Sequence, residues 1–154
     1  MLTAGQTAPS INALDQNNKT INSSDYIGNK NIVLYFYPKD DTTGCTIQAN
    51  QFTSSIDGFL QADTMVIGVS KDDDQSHQAF IKKFDLKVEL IADTDGKVCN
   101  DYGVWQEKEK NGVKKMGIVR STFIINKEGE LIYVEYGVSP EGHAEKMLEL
   151  VKKL

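Results

Sequence analysis

Arginine is nearly absent from this chain of 154 residues: Arg120 stands alone against sixteen lysines, and cysteine and histidine occur only twice each. Two cysteines cannot build the disulfide framework of a small exported domain, and without an export signal they read as reduced thiols. The pairs Cys45, Cys99 and His77, His143 are scattered and match no zinc-ligand spacing. No apolar run approaches the roughly 20 residues of a membrane-crossing helix. The start, Met1-Leu2-Thr3-Ala4-Gly5-Gln6-Thr7-Ala8-Pro9, has neither the basic nor the apolar part of a secretory signal. Positive charge is scarce as well, with a formal net charge of −5, which disfavours a nucleic acid or an anionic membrane as partner. The cytoplasm is the expected compartment. With no linker, repeat or low-complexity tract, residues 1–154 are expected to form a single domain of ordinary globular composition.

What is present begins with the run Asn31-Ile32-Val33-Leu34-Tyr35-Phe36-Tyr37, apolar, β-branched and aromatic, which reads as a buried strand. Apolar residues then recur at Ala49, Phe52, Ile56 and Phe59, one face of a helix. A short polar loop joins the two, and Cys45 stands where the helix begins. There a thiol meets the unpaired N–H groups and the positive dipole end of the helix, which favour thiolate, the reactive form. A small buried packing residue is the bland alternative. Cys45 follows Gly44 in the loop, however, outside the apolar periodicity of both flanking elements, and is expected to be a nucleophile.

Around this unit the chain reads as an N-terminal β-hairpin over 10–22, with a polar tip at Gln16-Asn17-Asn18-Lys19, and a turn or short helix at 23–26. Buried strands are expected over 64–70 and 88–92, with helices over 75–84, capped by Asp74 or a neighbouring Asp, and over 97–102. The polar stretch 104–119 carries Gly112 and Gly117 and reads as a surface excursion holding a hairpin. Strands over 120–125 and 130–136 are joined by the turn Asn126-Lys127-Glu128-Gly129. The last helix is expected to have Ser139 as N-cap, Pro140 at its first position, and an apolar face of Ala144, Met147, Leu148, Val151 and Leu154. Strands alternating with helices predict an α/β protein, and the late hairpin makes the central β-sheet mixed, flanked by helices.

Four further residues can act with Cys45. Pro38 ends the core strand rigidly, a place that suits a residue without an N–H. Thr42, three residues before Cys45, can reach the sulfur or a substrate oxygen, or cap the helix, and the roles are compatible. Gln48, one turn on, lies on the cysteine's side of the helix, with exposed surface as the alternative. Arg120 opens an apolar strand, where a guanidinium needs a partner; beside Cys45 it would stabilise thiolate and orient an oxygen substrate, and otherwise it is a surface arginine at a strand end. A Cys–His pair would indicate a hydrolase. Neither His77 nor His143 has a spacing that places it at Cys45, so both read as surface or capping residues.

The string Pro38-Lys39-Asp40-Asp41-Thr42-Thr43-Gly44-Cys45 fits P-x-x-x-T-x-x-C and resembles the signature of the peroxiredoxins. With Tyr35-Phe36-Tyr37 before it and Thr46 after it, the text is similar to the bacterioferritin-comigratory, or PrxQ, branch. Further blocks agree along nearly the whole chain: Asp95-Gly96-Lys97-Val98, Tyr102-Gly103-Val104-Trp105, 117–123 and Gly142-His143-Ala144-Glu145. The resemblance implies a thioredoxin-like fold and a thiol-dependent peroxidase reducing hydrogen peroxide and organic hydroperoxides, with Pro38, Thr42, Cys45 and Arg120 as its catalytic set. Cys45 would pass through a sulfenic acid, Thr42, Arg120 and loop N–H groups would hold the peroxide oxygens, and Pro38 would shield the thiolate. No metal or organic cofactor is required, and a monomer is implied, with a dimer as the alternative.

The chain departs from that pattern where the second thiol should stand. Many members of the branch carry a resolving cysteine five residues after the first; here that place is Asn50, and the other known place, within 75–84, holds no cysteine. Only Cys99 remains, and Val98 and Tyr102 beside it suggest a packing cysteine in a semi-buried helix. A one-cysteine cycle is therefore expected, with glutathione, glutaredoxin or thioredoxin as external reductant. The alternatives are a Cys45–Cys99 disulfide, which needs Cα atoms within about 7 Å, and a peroxide sensor. A dithiol oxidoreductase is disfavoured because the third residue after Cys45 is Gln48.

Overall fold

The polar tip at 16–19 folds back as its composition predicts: β1 (Asn12–Leu14) pairs antiparallel with β2 (Thr20–Asn22), and Asn18 takes the left-handed conformation (φ 58°) that the turn demands. In the computed structural model, which describes residues 1–154, β3 (Asn31–Phe36) follows a short 3₁₀ turn and is buried along its whole length. Side chains of a strand alternate between faces. Ile32, Leu34 and Phe36 thus enter one core, and Val33 and Tyr35 the other.

The predicted helix after the loop is two helices. α1 (Thr43–Ser54) and α2 (Ile56–Gln61) meet at Ser55, whose φ −102° and ψ 6° leave the helical region. The break lets Phe52 and Phe59 pack against each other, with ring centroids 5.8 Å apart. β4 (Thr64–Ser70) then runs parallel to β3, α3 (Asp74–Phe84) is capped by the Asp73 carboxylate, which accepts from the Ser76 N–H, and β5 (Glu89–Ala92) runs parallel to β4. α4 (Lys97–Asp101) leads into the hairpin of β6 (Trp105–Lys110) and β7 (Val113–Ile118), the predicted surface excursion. β8 (Ser121–Ile125) returns antiparallel to β3, and β9 (Leu131–Tyr136) pairs antiparallel with β8.

The central sheet has the order β5-β4-β3-β8-β9, mixed as expected. One face carries Phe52 of α1, Phe59 of α2, Phe80 of α3 and Met147 of α5 (His143–Val151); the other carries Val98, Cys99 and Tyr102 from and after α4, with Ile11 and Ile21 of the N-terminal hairpin region. No helix is long and apolar enough to cross a membrane.

One expected helix start is overturned. Ser139 is not the N-cap of α5, nor Pro140 its first residue; Gly142 (φ 75°) is the cap, and its N–H donates to Gln51 Oε1 at 2.9 Å. The Gly137–Gly142 segment instead carries Pro140 over the start of α1, as the site geometry makes plain.

Candidate active site

The loop after β3 turns through Asp41, at φ 60°, and delivers Thr42 to the N-cap of α1 and Cys45 to its third position. Thr42 caps by place but not by side chain. Its hydroxyl donates instead to the Lys39 carbonyl at 2.8 Å, and no acidic residue stands in the first turn. The first-turn N–H groups of α1 are therefore left without a side-chain acceptor, facing the region of the sulfur with their partial positive charge.

Arg120 reaches this point from the far side of the sheet's central strand. It lies just before β8, whose Ser121 is paired with Phe36 at the end of β3. Its Nη2 stands 3.3 Å from Cys45 Sγ, and its Nη1 donates to Gln48 Oε1 at 2.6 Å. Gln48 is fully buried, so the exposed-surface alternative is excluded; its free Nε2 is buried with no partner. Cys45 is 1 % exposed. Gly44 explains how a guanidinium comes so close: a Cβ there would stand 3.1 Å from Arg120 Nη2 and 3.4 Å from Pro140 Cγ. Sequence reasoning missed Pro140 as a wall of this site, because Ser-Pro before a helix reads more simply as a cap.

Pro38 is exposed, and borders a groove beneath the β6–β7 hairpin. The Thr42 hydroxyl is also on the exposed side.

Behind the loop stands a buried polar network that the spacing of residues did not reveal. Asp40 accepts from Tyr37 Oη at 2.6 Å and Ser76 Oγ at 2.8 Å, and meets His77 Nδ1 at 2.7 Å. The Asp40 N–H donates to Asp72 at 2.8 Å, and Asp72 in turn accepts from Ser70 Oγ at 2.7 Å. His77 Nε2 lies 2.8 Å from the Ile91 carbonyl, which can only accept, so Nε2 carries a proton. Nδ1 then faces a carboxylate and holds the second proton. Burial alone pushes the His77 imidazole down, but the hydrogen bond and charge of Asp40 more than offset it, and the net direction is up. His77 is thus a buried anchor and not a surface residue. His143, also buried, meets Thr122 Oγ1 at 2.8 Å, and burial pulls its imidazole down to about 4. Neither histidine is hydrogen-bonded to Cys45.

Cys99 is fully buried in the other core, among residues of the opposite sheet face from Cys45. Both thiols are free. Burial pushes the Cys99 thiol up, and the hydrogen bond and charge of Asp93 push it further.

The chain as a whole has counterparts among known proteins. The pattern of the AhpC/TSA family matches residues 4–134. The chain belongs to that family, in its Bcp/PrxQ peroxiredoxin branch. It is 41 % identical to peroxiredoxin Bcp of Bacillus subtilis over 150 residues, 97 % of this chain and 95 % of that one. In structure it is similar to the Xanthomonas campestris bacterioferritin comigratory protein, described for its alkyl peroxide reduction activity, with a TM-score of 0.90, 30 % identity and 98 % of each chain covered. A PrxQ mutant of Xylella fastidiosa aligns with a TM-score of 0.93 and 32 % identity, covering 99 % of this chain and 97 % of that one. The thioredoxin-like peroxiredoxin fold is therefore the one implied by the resemblance, and the protein is a peroxiredoxin enzyme whose family uses peroxide substrates and thiol reductants.

Proposed function

We propose that this peroxiredoxin, acting as one domain over residues 1–154 and in the cytoplasm, reduces hydrogen peroxide and organic hydroperoxides by a one-cysteine cycle centred on Cys45. The observation that carries the reading is the 3.3 Å contact between Arg120 Nη2 and Cys45 Sγ. The Cys45 thiolate attacks the terminal peroxide oxygen, an S–O bond forms as the O–O bond breaks, and sulfur loses two electrons to the leaving alkoxide or hydroxide. Protonation of that oxygen releases alcohol or water and leaves Cys45 as sulfenic acid. Arg120 donors, held in plane by Gln48, and the open N–H groups of α1 take up the charge as it moves from sulfur to oxygen. Thr42, whose own proton is committed to Lys39, offers lone pairs to the peroxide O–H and so orients it. Pro38, at the end of the core strand, is assigned the shielding of the thiolate from water.

Recycling by an external thiol is supported by the burial of Cys99 on the opposite face of the sheet from Cys45, which argues against a disulfide between them in the folded chain. A monomer suffices for this cycle. To test it, the reduced protein is treated with one equivalent of hydrogen peroxide and its thiols are counted. Sulfenate on Cys45 with Cys99 still free is expected, and Cys45→Ser should consume no peroxide. Loss of both thiols in a monomer would overturn the one-cysteine cycle.

A further inference from the structure

The β6–β7 hairpin sorts its charges by face. Its register sets Lys108 directly opposite Lys115 and Lys110 opposite Val113, while Glu109 faces Lys114 from the other side of the ribbon. Like charges directly opposed on a ladder cost stability, so a cationic face kept in a chain of net charge −5 calls for an anion. Beside the hairpin lies a groove of about 680 Å³, a volume suited to a small molecule, lined by residues from both faces of the ribbon. Lys71, Lys108, Lys110 and Lys115 line it together with Pro38 and Trp105, and no carboxylate does.

The lysines at the inner end are held in place. Lys108 Nζ donates to the Ile118 carbonyl at 2.9 Å, and its stem lies along Gly117, where a Cβ would stand 3.1 Å from Lys108 Cδ. Lys71 Nζ sits over the Trp105 ring, 4.1 Å from its centroid. Two of its lining residues stand close in sequence to the reactive pair, although neither Cys45 nor Arg120 lines the groove. Pro38 opens the loop that ends in Cys45, and Ile118 is two residues before Arg120, whose Nη2 touches Sγ.

We propose that this groove docks the reductant, a small thiol bearing more than one carboxylate, the chemistry that glutathione offers. The assignment rests on the one-cysteine cycle and names the reductant's class. The docked thiol attacks the Cys45 sulfenic acid, an S–S bond forms and water leaves. A second molecule exchanges with that mixed disulfide, restoring the Cys45 thiol and releasing the oxidised disulfide of the reductant. Two thiols thus return the two electrons that the peroxide removed.

The test uses the whole protein, oxidised by one equivalent of peroxide, and measures reduction of the Cys45 sulfenate by glutathione, by neutral 2-mercaptoethanol and by thioredoxin. Lys115→Glu is the informative variant, because it gives Lys108 an opposite-charge neighbour and should keep the hairpin folded. The ratio of glutathione to 2-mercaptoethanol rates is expected to fall about tenfold in Lys115→Glu, further in Lys110→Glu/Lys115→Glu, and in the wild type on raising salt. An unchanged ratio in a folded variant overturns the groove alone. So does a wild type that favours thioredoxin, with that preference lost in Lys115→Glu. A wild-type protein in which peroxide consumes both cysteines overturns the one-cysteine cycle and the groove with it.

Discussion

Two cysteines of this chain occupy the same place in two helices. Cys45 is the third residue of α1 and Cys99 the third residue of α4; both are buried, and each follows a capping residue by three positions. Helix position and burial therefore cannot be what separates a reactive thiol from an inert one. The difference lies in what already fills the anion site at each helix start. At α4 the Asp93 carboxylate takes the Val98 N–H at 3.0 Å and the Cys99 N–H at 2.8 Å, and brings a negative charge against the sulfur. At α1 no carboxylate is present, the Thr42 side chain points to Lys39, and a guanidinium stands on the sulfur instead. One helix spends its N-terminus on an internal acid; the other keeps it for a substrate.

The sharpest way to break the contrast is to weaken the charge on Cys45. Arg120→Lys keeps one positive charge but cannot donate to Gln48 and reach the sulfur at once, because the two contacts use different nitrogens of the fork. The second-order rate of peroxide consumption is expected to fall roughly 100- to 1000-fold, the cost of losing a donor at developing negative charge. A loss below tenfold would mean that proximity of a cation suffices and that the fork contributes little.

An aspartate, Asp40, also precedes Cys45, five residues before it, but its carboxylate is already taken by Tyr37, Ser76 and His77. The doubly protonated imidazole neutralises Asp40 and ties the loop to α3 and β5. Because the folded His77 pKa is raised, its contribution to stability is complete below the unfolded value near pH 6.5 and is lost as pH rises through the folded value. His77→Gln is expected to cost about 3 kcal/mol at pH 6, as breaking a buried pair does. Thermal unfolding from pH 6 to 10 should show the gap between wild type and variant closing as pH rises; a constant gap would show that the proton is not what holds the loop.

How far these features could be read before folding follows from their range in sequence. The strand, loop and helix around Cys45 are local, and periodicity with Gly44 before the thiol placed them. Arg120 was visible as a charge with no local partner, yet 75 positions separate it from Cys45 and only the β3–β8 pairing joins them. Pro140 and the Asp40–His77 pair left no usable signal, since a Ser-Pro pair and a histidine near a helix start each have a simpler local reading. The break at Ser55 was hidden for a related reason: the apolar spacing of Ala49, Phe52, Ile56 and Phe59 continues through it. Cys99 looked like a packing residue from Val98 and Tyr102, and its opposite face of the sheet follows from strand alternation that no single window displays.

Asp93→Asn reverses the comparison at the other thiol. It removes the charge beside Cys99 while keeping an oxygen for one N–H of α4. In a Cys45→Ser background, the pH at which Cys99 is alkylated is expected to drop by about one unit, a tenfold gain in rate at fixed pH. Mass spectrometry of the labelled protein reads this directly. No change would assign the inertness of Cys99 to burial alone, which is the larger of the two causes that raise its pKa.

The smallest effect is the one that bears most on the cycle. Cys99→Ala removes a thiol from a core whose other members, such as Phe36, Val98 and Tyr102, stay in place, and is expected to cost about 1 kcal/mol. Peroxide consumption with an external thiol should stay within about twofold of wild type, since a positional effect of so small a change is itself small. If Cys99 resolved the Cys45 sulfenate, the variant would instead stop after one turnover with any reductant that acts only on disulfides. For the two thiols to meet, α4 would have to leave its core, giving up both Asp93 hydrogen bonds and the burial of Val98 and Tyr102. That opening is far dearer than a bimolecular encounter at the loop that carries Cys45, so a near-silent Cys99→Ala is the result that the contrast between the two helix starts demands.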